Sequence, residues 1–341
     1  VQGNTVHQEE NKQFVKEYEN KKLSFQDLIK LRTEITQLYI ENNYQTSGAF
    51  VLNNQSLNNG IAQIQVVEGQ LESIEISGLQ RLKPSYVRSR LEAASKPPLN
   101  RERLESALLL LQIDPLLEQV NAELIAGSAP GRNILQILVK EAPAFHSGIV
   151  VANNQSPSIG SVQGNVFARH DNLLGFGDSL SAEYGLTDGL DIYSIGYSLP
   201  VNARNGTIKV SYSNNNSKII EDTFDDLDIR SNSETLSLNY RQPLVRKPDT
   251  EFALSVGLDL RRSQTFILDD TPFSFSEGPE DGKSRVSAIR FTQDWVKRDA
   301  KTVLAARSQF SFGIDAFNAT VNDSGTDGRF FAWLGQFQWV R

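Results

Sequence analysis

Long stretches in the second half of the chain alternate strictly between apolar and polar residues. The clearest run has an apolar residue at every second position, namely Phe252, Leu254, Val256, Leu258 and Leu260. The positions between them are small, polar or charged, and include Asp259 and Arg261. A period of two predicts strands with one apolar face and one polar face. Because many runs reach the roughly 9–11 residues that a strand needs to cross a bilayer, the pattern favours transmembrane strands.

The alternation predicts about ten such strands. Their expected positions are 146–153, 161–170, 177–187, 191–199, 206–214, 233–243, 250–264, 284–295, 302–317 and 329–341. Three connections at odd-numbered gaps are long and acidic, near 215–232, 265–283 and 318–328, whereas all connections at even-numbered gaps are short. Outer-membrane barrels have this asymmetry, with short periplasmic turns and longer outer loops. A large soluble β-domain is the alternative interpretation.

Residues 1–142 follow a different plan, in which helical and strand patterns occur twice in the same order. Ser24 followed by Asp27 predicts a capped helix in the first copy, and Pro84 and Asn100 begin the two helices of the second copy. Each copy reads as strand, helix, helix, strand and strand, with the first strand of the first copy expected to be truncated. The predicted domains are 1–69, 70–142 and 143–341.

The composition narrows the class of protein further. The 341 residues include no cysteine and carry a formal net charge of −7, which excludes disulfides, thiolate catalysis and cysteine-bound metals. No apolar run approaches the ~18–20 residues of a membrane helix. The chain has no charged and then apolar leader at its start, and its first residue is Val1. We therefore expect a mature or clipped piece of an exported protein.

Motifs that would support catalysis or ligand binding are weak. The glycine-rich segment 175–178 lacks a full phosphate-binding fingerprint and is better explained as a tight turn between strands. The acidic segments 225–228 and 323–328 offer oxygen ligands suited to calcium, but neither has the EF-hand spacing. The serines lack a nucleophile-elbow context. We expect no enzymatic activity, no cofactor, no metal and no nucleic-acid partner.

Several segments resemble one family of outer-membrane proteins. These segments are 1–5, 39–47, 60–69, 153–160, 172–178, 197–200 and 242–244. The most specific is Asn-Leu-Leu-Gly-Phe-Gly-Asp at 172–178, which is similar to the first hairpin turn of the barrel in TpsB transporters of two-partner secretion, also called haemolysin secretion/activation proteins. Asn43 stands where this family usually has glycine. The family also has a plug helix, a barrel of about 16 strands and an inward-folded loop with a Val-Arg-Gly-Tyr signature, so the chain looks truncated at both ends.

The resemblance implies a fold and a function. The fold is two α+β polypeptide-transport-associated (POTRA) domains of order β-α-α-β-β, followed by the N-terminal part of an antiparallel transmembrane β-barrel. The function is an outer-membrane pore whose periplasmic POTRA domains capture an unfolded β-rich exoprotein and pass it to the cell surface. The expected partners are a secreted TpsA-type adhesin or haemolysin and outer-membrane lipid, with a monomeric barrel. A barrel-assembly insertase is the alternative, while a barrel-linked lipase would need a catalytic constellation that the sequence lacks.

The resemblance also implies where the exoprotein would dock. The second strand of a POTRA domain lies at a sheet edge, and an edge offers unpaired backbone groups to an extended chain. The expected docking residues are Ala49, Phe50, Val51 and Leu52 in the first domain and Val120, Asn121, Ala122, Glu123, Leu124, Ile125 and Ala126 in the second. A proline at Glu123 or Ile125, whichever N–H points outward, is expected to weaken docking because proline has no donor.

Overall fold

The computed structural model divides the chain into two compact units, Val1–Ala142 and Pro143–Arg341. It describes residues 1–52, 55, 60–268 and 270–341. Unit 1 contains the helices α1 (Gln8–Lys16), α2 (Phe25–Glu41), α3 (Pro84–Ala94) and α4 (Arg101–Gln112) and the strands β1 (Gly48–Val51), β2 (Ile64–Val67), β3 (Gln70–Ser77), β4 (Leu117–Ala126) and β5 (Arg132–Glu141). None of the helices in the described residues has the length and apolarity needed to cross a membrane.

The first half of unit 1 packs two helices on a small sheet. Ser24 and Asp27 cap α2 as predicted, since the Asp27 carboxylate accepts from the N–H of Ser24 at 2.7 Å and Ser24 Oγ accepts from the N–H of Asp27 at 3.2 Å. After α2, Asn43 has a φ of 67°, a left-handed conformation that favours glycine and tolerates asparagine. This explains why asparagine can replace the family's glycine. The buried core consists of Leu31, Ile35, Tyr39, Ala49, Ile64 and Val66.

Two details of this half differ from the sequence expectation. The strand expected to start at Ile61 begins at Ile64, and Ile61 is 63% exposed. Among the described residues, the ladder between β1 and β2 ends at the pair Val51↔Ile64, and Leu52 lies beyond the end of β1. The hydrophobic pattern also does not delimit α1, in which the one buried residue among those described is Asn11.

The second half repeats the plan with a larger sheet. Pro84 begins α3, and Asn100 caps α4 by accepting from the N–H of Arg103 at 3.1 Å, both as predicted. The sheet has the order β3-β5-β4, with β3 parallel and β4 antiparallel to β5. Its helix-covered face is buried at Leu135 and Ile137, which are 1% and 2% exposed. This order leaves β4 at one edge of the sheet.

A glutamate at the C-terminal end of the last strand of each half holds the loop that precedes the first helix of that half. Glu68 accepts hydrogen bonds from the N–H of Thr5 at 2.7 Å and of Val6 at 3.1 Å. Glu141 accepts from three consecutive N–H groups at 80–82, over 2.7–2.9 Å. Burial by itself would raise the pKa of Glu141, but these N–H donors outweigh it, and the pKa lies below its ordinary value of 4.5. The equivalent placement supports the internal repeat.

Unit 2 is one antiparallel sheet. Its strands are β6 (Phe145–Asn153), β7 (Val162–Asp171), β8 (Ser179–Thr187), β9 (Leu190–Pro200), β10 (Thr207–Lys218), β11 (Arg230–Arg246), β12 (Thr250–Ile267), β13 (Thr271–Pro272), β14 (Lys283–Arg298), β15 (Val303–Ile314) and β16 (Phe331–Val340). Apart from the short β13, which pairs with β12, each strand pairs with the next along the chain. The long strands overlap the ten predicted ones, so the antiparallel strand pattern expected from the sequence is confirmed.

The two faces of this sheet differ in chemistry and in exposure. Directly paired residues share a face, and successive residues alternate between faces. On the apolar face Val256 is 53% exposed, whereas its neighbour Ser255 on the polar face is 6% exposed. Cross-strand ion pairs occupy the polar face, for example Arg307 with Asp294 at 2.7 Å. The exposed face is therefore the apolar one, which is the reverse of a soluble domain and suits strands that face lipid.

The family-like turn between β7 and β8 is held by a buried carboxylate. Gly175 and Gly177 have φ values of 86° and 76°, which side chains other than glycine rarely adopt. Asp178 is 0% exposed, and its carboxylate accepts from the N–H of Leu174 at 3.0 Å and from the hydroxyl of Tyr197 at 3.0 Å. The segment is thus a tight turn, and two of the segments that carry the resemblance meet at this carboxylate.

Candidate functional site at the strand edges of unit 1

Apart from Leu52, the predicted docking residues lie on two edge strands of unit 1. Within the described residues, β4 is the outer strand of the order β3-β5-β4, and β1 is the outer strand next to β2. A strand that is paired on one side directs alternate N–H and C=O groups to its open side. Which residues point outward depends on the register of the ladder.

The register of β4 identifies its outward groups. The N–H of Gly127 donates to the C=O of Arg132 at 2.9 Å, and the pairing continues without a shift to residue 119. Hydrogen-bonded pairs recur at every second residue of an antiparallel ladder. The residues whose backbone groups face β5 are therefore Asn121, Glu123 and Ile125. The residues whose backbone groups face outward are Val120, Ala122, Leu124 and Ala126.

Proline at Glu123 or Ile125 would therefore break the ladder with β5 instead of blocking the edge. The accessible part of the edge starts at Ala122, which is exposed, and includes Leu124, which is 39% exposed. Val120 is only 6% exposed because its side chain belongs to the core. No hydrogen bond from the outward N–H groups of β4 occurs within the described residues. This edge can accept another strand.

The edge of β1 is arranged differently. Gln2 donates its N–H to the C=O of Ile64 at 3.0 Å and accepts from the N–H of Val66 at 2.8 Å, so these two residues of β2 point away from β1. The alternation then directs the N–H of Ala49 to the outer side of β1. That N–H already donates to Thr36 Oγ1 of α2 at 3.0 Å. The edge of β1 is sealed at this position.

The hydroxyl of Thr36 joins α2 to β1. Thr36 also donates to the C=O of Arg32 at 2.9 Å, and Ala49 is 3% exposed. Phe50 has a 52% exposed side chain, but its backbone groups face β2. The sequence did not identify Thr36 as a functional residue. Thr33 also donates to the carbonyl four residues earlier, at 2.8 Å, but it is exposed. Nothing in the sequence distinguishes the two threonines. Of the two predicted docking strands, β1 is sealed at Ala49, whereas the outward N–H groups of β4 have no such acceptor within the described residues.

The sheet face away from the helices continues the surface of the β4 edge. Gln136 of β5 donates to Glu75 of β3 at 2.9 Å, and Leu138 of β5 is 54% exposed. Glu123 of β4 is exposed on the same face. A strand added to β4 would direct alternate side chains toward this mixed polar and apolar surface.

One aspartate in each of the acidic segments considered as calcium sites is engaged in ion pairs. Asp228 lies 3.1 Å from Lys218 and 2.5 Å from Arg230, and Asp327 lies 2.8 Å from Arg329. In the part of the chain that the structure describes, no three His, Cys, Asp or Glu side chains are grouped so that they could hold a metal ion.

Models of protein families match both units. Residues 1–69 match the POTRA domain of ShlB type. Residues 131–341 match the haemolysin secretion/activation protein ShlB/FhaC/HecB. The chain belongs to this family. The second match includes every strand of unit 2, and the resemblance found in the sequence is confirmed.

Two curated relatives are transporters. The outer membrane transporter CdiB of Dickeya dadantii is 26% identical over 189 residues, which are 54% of this chain and 33% of that protein. The heme/hemopexin transporter protein HuxB of Haemophilus influenzae is 25% identical over 252 residues, which are 72% of this chain and 44% of that protein. The chain therefore spans less than half the length of these relatives.

Two solved structures have the same fold. CdiB from Escherichia coli aligns with a TM-score of 0.71 at 22% identity, covering 98% of this chain and 62% of that one. BamA from Haemophilus ducreyi lacking POTRA domains 1-3 aligns with a TM-score of 0.51 at 10% identity, covering 94% and 70%. The fold is thus a POTRA region followed by the antiparallel sheet of an outer-membrane barrel.

Proposed function

We propose that this protein is an outer-membrane pore for two-partner secretion. Its periplasmic POTRA domains capture an unfolded, β-rich exoprotein as an extended strand, and the polar face of the barrel passes that chain to the cell surface. The partner is a secreted TpsA-type adhesin or haemolysin, and outer-membrane lipid surrounds a monomeric barrel. Capture and transport need no catalytic residue, and the proposal includes no enzymatic activity.

The proposed domains are POTRA domain 1 at 1–69, POTRA domain 2 at 70–142 and the N-terminal part of the barrel at 143–341. The second of these contains residues 70–130, which lie between the two family matches. Its assignment is supported by the order β3-α3-α4-β4-β5, which is that of a POTRA domain. The loop-holding role that Glu141 shares with Glu68 supports it as well.

The open backbone groups of β4 are the observation that carries the proposal. A few outward groups between Ala122 and Ala126 can form main-chain hydrogen bonds with a captured strand. Each such bond contributes about 0.5–1.5 kcal/mol net, so three of them contribute about 1.5–4.5 kcal/mol, which corresponds to a dissociation constant on the order of millimolar or weaker. Weak capture suits a cargo that has to be released into the pore. The sealed N–H of Ala49 makes β1 the poorer acceptor.

Replacement of Leu124 tests capture at this edge. Leu124→Pro removes an outward N–H and the side chain, whereas Leu124→Ala removes the side chain alone. In cells that carry the protein and its exoprotein, we expect Leu124→Pro to reduce exoprotein release at least tenfold and Leu124→Ala to retain most of it. Thermal unfolding of both variants checks that the fold is intact. Normal release by a folded Leu124→Pro variant would show that β4 is not the docking strand.

The same cells separate secretion from barrel assembly. If the protein is a secretion pore, its depletion stops release of the exoprotein and leaves unrelated outer-membrane barrels correctly folded. If it is an insertase, depletion reduces the folded amount of those unrelated barrels, as measured by their heat-modifiable migration on gels. The second outcome would contradict the proposed function.

A further inference from the structure

Three cations lie together on the apolar face of unit 2. Arg262 of β12 is directly opposite Arg285 of β14, and Lys283 lies two residues before Arg285. The same ladder pairs Val256 with Phe291, and residues two apart along a strand share a face. All three cations are therefore on the exposed apolar face, just beyond the run of apolar residues.

None of these cations is neutralised by an ion pair among the residues that the structure describes. Within the described residues, the side chains of Arg262, Lys283 and Arg285 form no ion pair or hydrogen bond. Glu234 of β11 is directly opposite Arg262 but forms no ion pair with it. Like charges directly opposite each other on neighbouring strands are destabilising. This contrasts with the polar face, where Arg290 is paired with Asp259, and it leaves the arginine pair in need of an external anion.

The height of the pair on the sheet matches a membrane interface. The ladder between β12 and β14 also pairs Phe252 with Trp295 on the same face, and tryptophan favours the interface. Ten residues separate Phe252 from Arg262, which is roughly 34 Å along a strand and about 26 Å along the membrane normal at a tilt of about 40°. The apolar band of an outer-membrane barrel is about 25 Å tall, so the pair lies at the opposite interface.

We propose that Arg262 and Arg285, together with Lys283, form a binding site for the phosphates of the phosphorylated glycolipid in the outer leaflet. This site depends on the outer-membrane location proposed above, in which the long loop after β12 lies outside the cell. Guanidinium groups bind phosphate oxygens in a bidentate manner. Two arginines opposite each other suit a diphosphorylated headgroup, and Leu260 below them lies where an acyl chain would pack. The bound phosphates would remove the repulsion between the arginines.

Binding of diphosphoryl lipid A to the detergent-solubilised protein tests the site. We expect the double variant Arg262→Gln, Arg285→Gln to bind diphosphoryl lipid A at least tenfold more weakly than the parent. Arg261→Gln is the matched control, because Arg261 is the neighbouring residue on the polar face and donates to Ser233 Oγ at 3.2 Å. The control should bind like the parent. Phosphatidylglycerol and millimolar inorganic phosphate should each compete poorly.

Three results would overturn the site. They are parental affinity in the double variant, equal weakening by Arg261→Gln, and displacement of lipid A by phosphatidylglycerol or inorganic phosphate at comparable concentrations. Insertion into vesicles and exoprotein release are measured on the same proteins. A parent that neither inserts nor supports release would contradict the proposed function itself. A parent that does both, alongside a double variant with unchanged lipid affinity, would contradict the lipid site alone.

Discussion

The strands of both units alternate between apolar and polar residues, but unit 1 buries the apolar face of its sheet and unit 2 exposes it. In β5 of unit 1, Leu135 and Ile137 are 1% and 2% exposed, and Gln136 between them is exposed. In β12 of unit 2, Val256 is 53% exposed and Ser255 beside it is 6% exposed. Period-two patterning thus specifies two faces without specifying which of them is covered.

What covers the apolar face makes the difference. Helices with their own apolar residues cover it in unit 1, among them Leu104 and Leu111 of α4. In unit 2 the same kind of face is exposed over many neighbouring strands. A continuous apolar surface of that size in water would be an aggregation surface, so unit 2 needs lipid where unit 1 needs helices.

Removal of a buried leucine should affect unit 1 most. Leu135→Ala in the 1–142 segment should lower the free energy of unfolding by about 2–5 kcal/mol, because it removes apolar contacts and leaves a cavity. Leu138→Ala, on the open face of the same strand, should cost at most about 0.5 kcal/mol. Urea unfolding of the two variants in water measures both values. A requirement of the segment for detergent would show that the boundary at Pro143 is misplaced.

A charge on the apolar face should be costly in unit 2 when it is surrounded by lipid. Val256→Arg should make folding into a bilayer less favourable by about 2–4 kcal/mol. The control is Asn239→Arg, at nearly the same level on the polar face, opposite Gly257, which should cost clearly less because the new cation stays in a polar environment. Reversible folding into lipid vesicles measures both variants. Equal costs would contradict the assignment of the two faces.

The sealed edge of β1 should depend on one hydroxyl. Unit 2 satisfies the backbone of its strands by pairing them with one another, whereas unit 1 satisfies the N–H of Ala49 with Thr36. Thr36→Val should therefore lower the free energy of unfolding by about 1–3 kcal/mol, since it leaves a buried N–H without an acceptor. Thr33→Val removes a similar bond at an exposed position and should cost less than about 0.5 kcal/mol. Chemical unfolding measures both variants. A similar loss of unfolding free energy in the two would show that Thr36 does not seal the edge of β1.

Acid should loosen unit 1 through Glu141. The N–H donors at 80–82 lower its pKa in the folded state below 4.5, so its stabilising contribution is full above that value. The contribution is lost as the pH falls through the lower folded pKa. At pH values below about 5, we expect the unfolding free energy of 1–142 to decrease with falling pH. The decrease should be less steep in Glu141→Gln. An identical pH dependence in the two proteins, followed by circular dichroism, would contradict this role.

The sequence predicted those elements that carry a strong local signal. Ser24 and Asn100 predicted two helix starts because their side chains accept hydrogen bonds from the following turn. The long strands of unit 2 followed from uninterrupted alternation. The pattern did not locate α1, since Phe14 and Val15 are the only apolar residues of that helix. The pattern also placed the start of β2 at Ile61 instead of Ile64, because an apolar residue does not reveal where a strand ends.

Candidate docking strands were predictable, but the chemistry of their edges was not. A POTRA-like order of elements is enough to suggest that β1 and β4 are edge strands. The sequence does not say that Leu124 donates outward while Glu123 faces β5, because that depends on the pairing of Gly127 with Arg132. It also does not say that Thr36, and not Thr33, reaches Ala49. Both facts depend on how α2 and the neighbouring strands are placed.

By itself, the sequence determined which residues of a strand share a face, because side chains alternate sides regardless of what the strand pairs with. It therefore separated apolar Val256 from polar Ser255 and showed two architectures in one chain. Only the tertiary structure decided the register between strands. The register of β4 on β5 sets which backbone groups of β4 point outward. The register of β14 on β12 places Arg262 opposite Arg285. Ladder pairing joins residues across space, and alternation excludes a slip of one residue without specifying which partner each backbone group will meet.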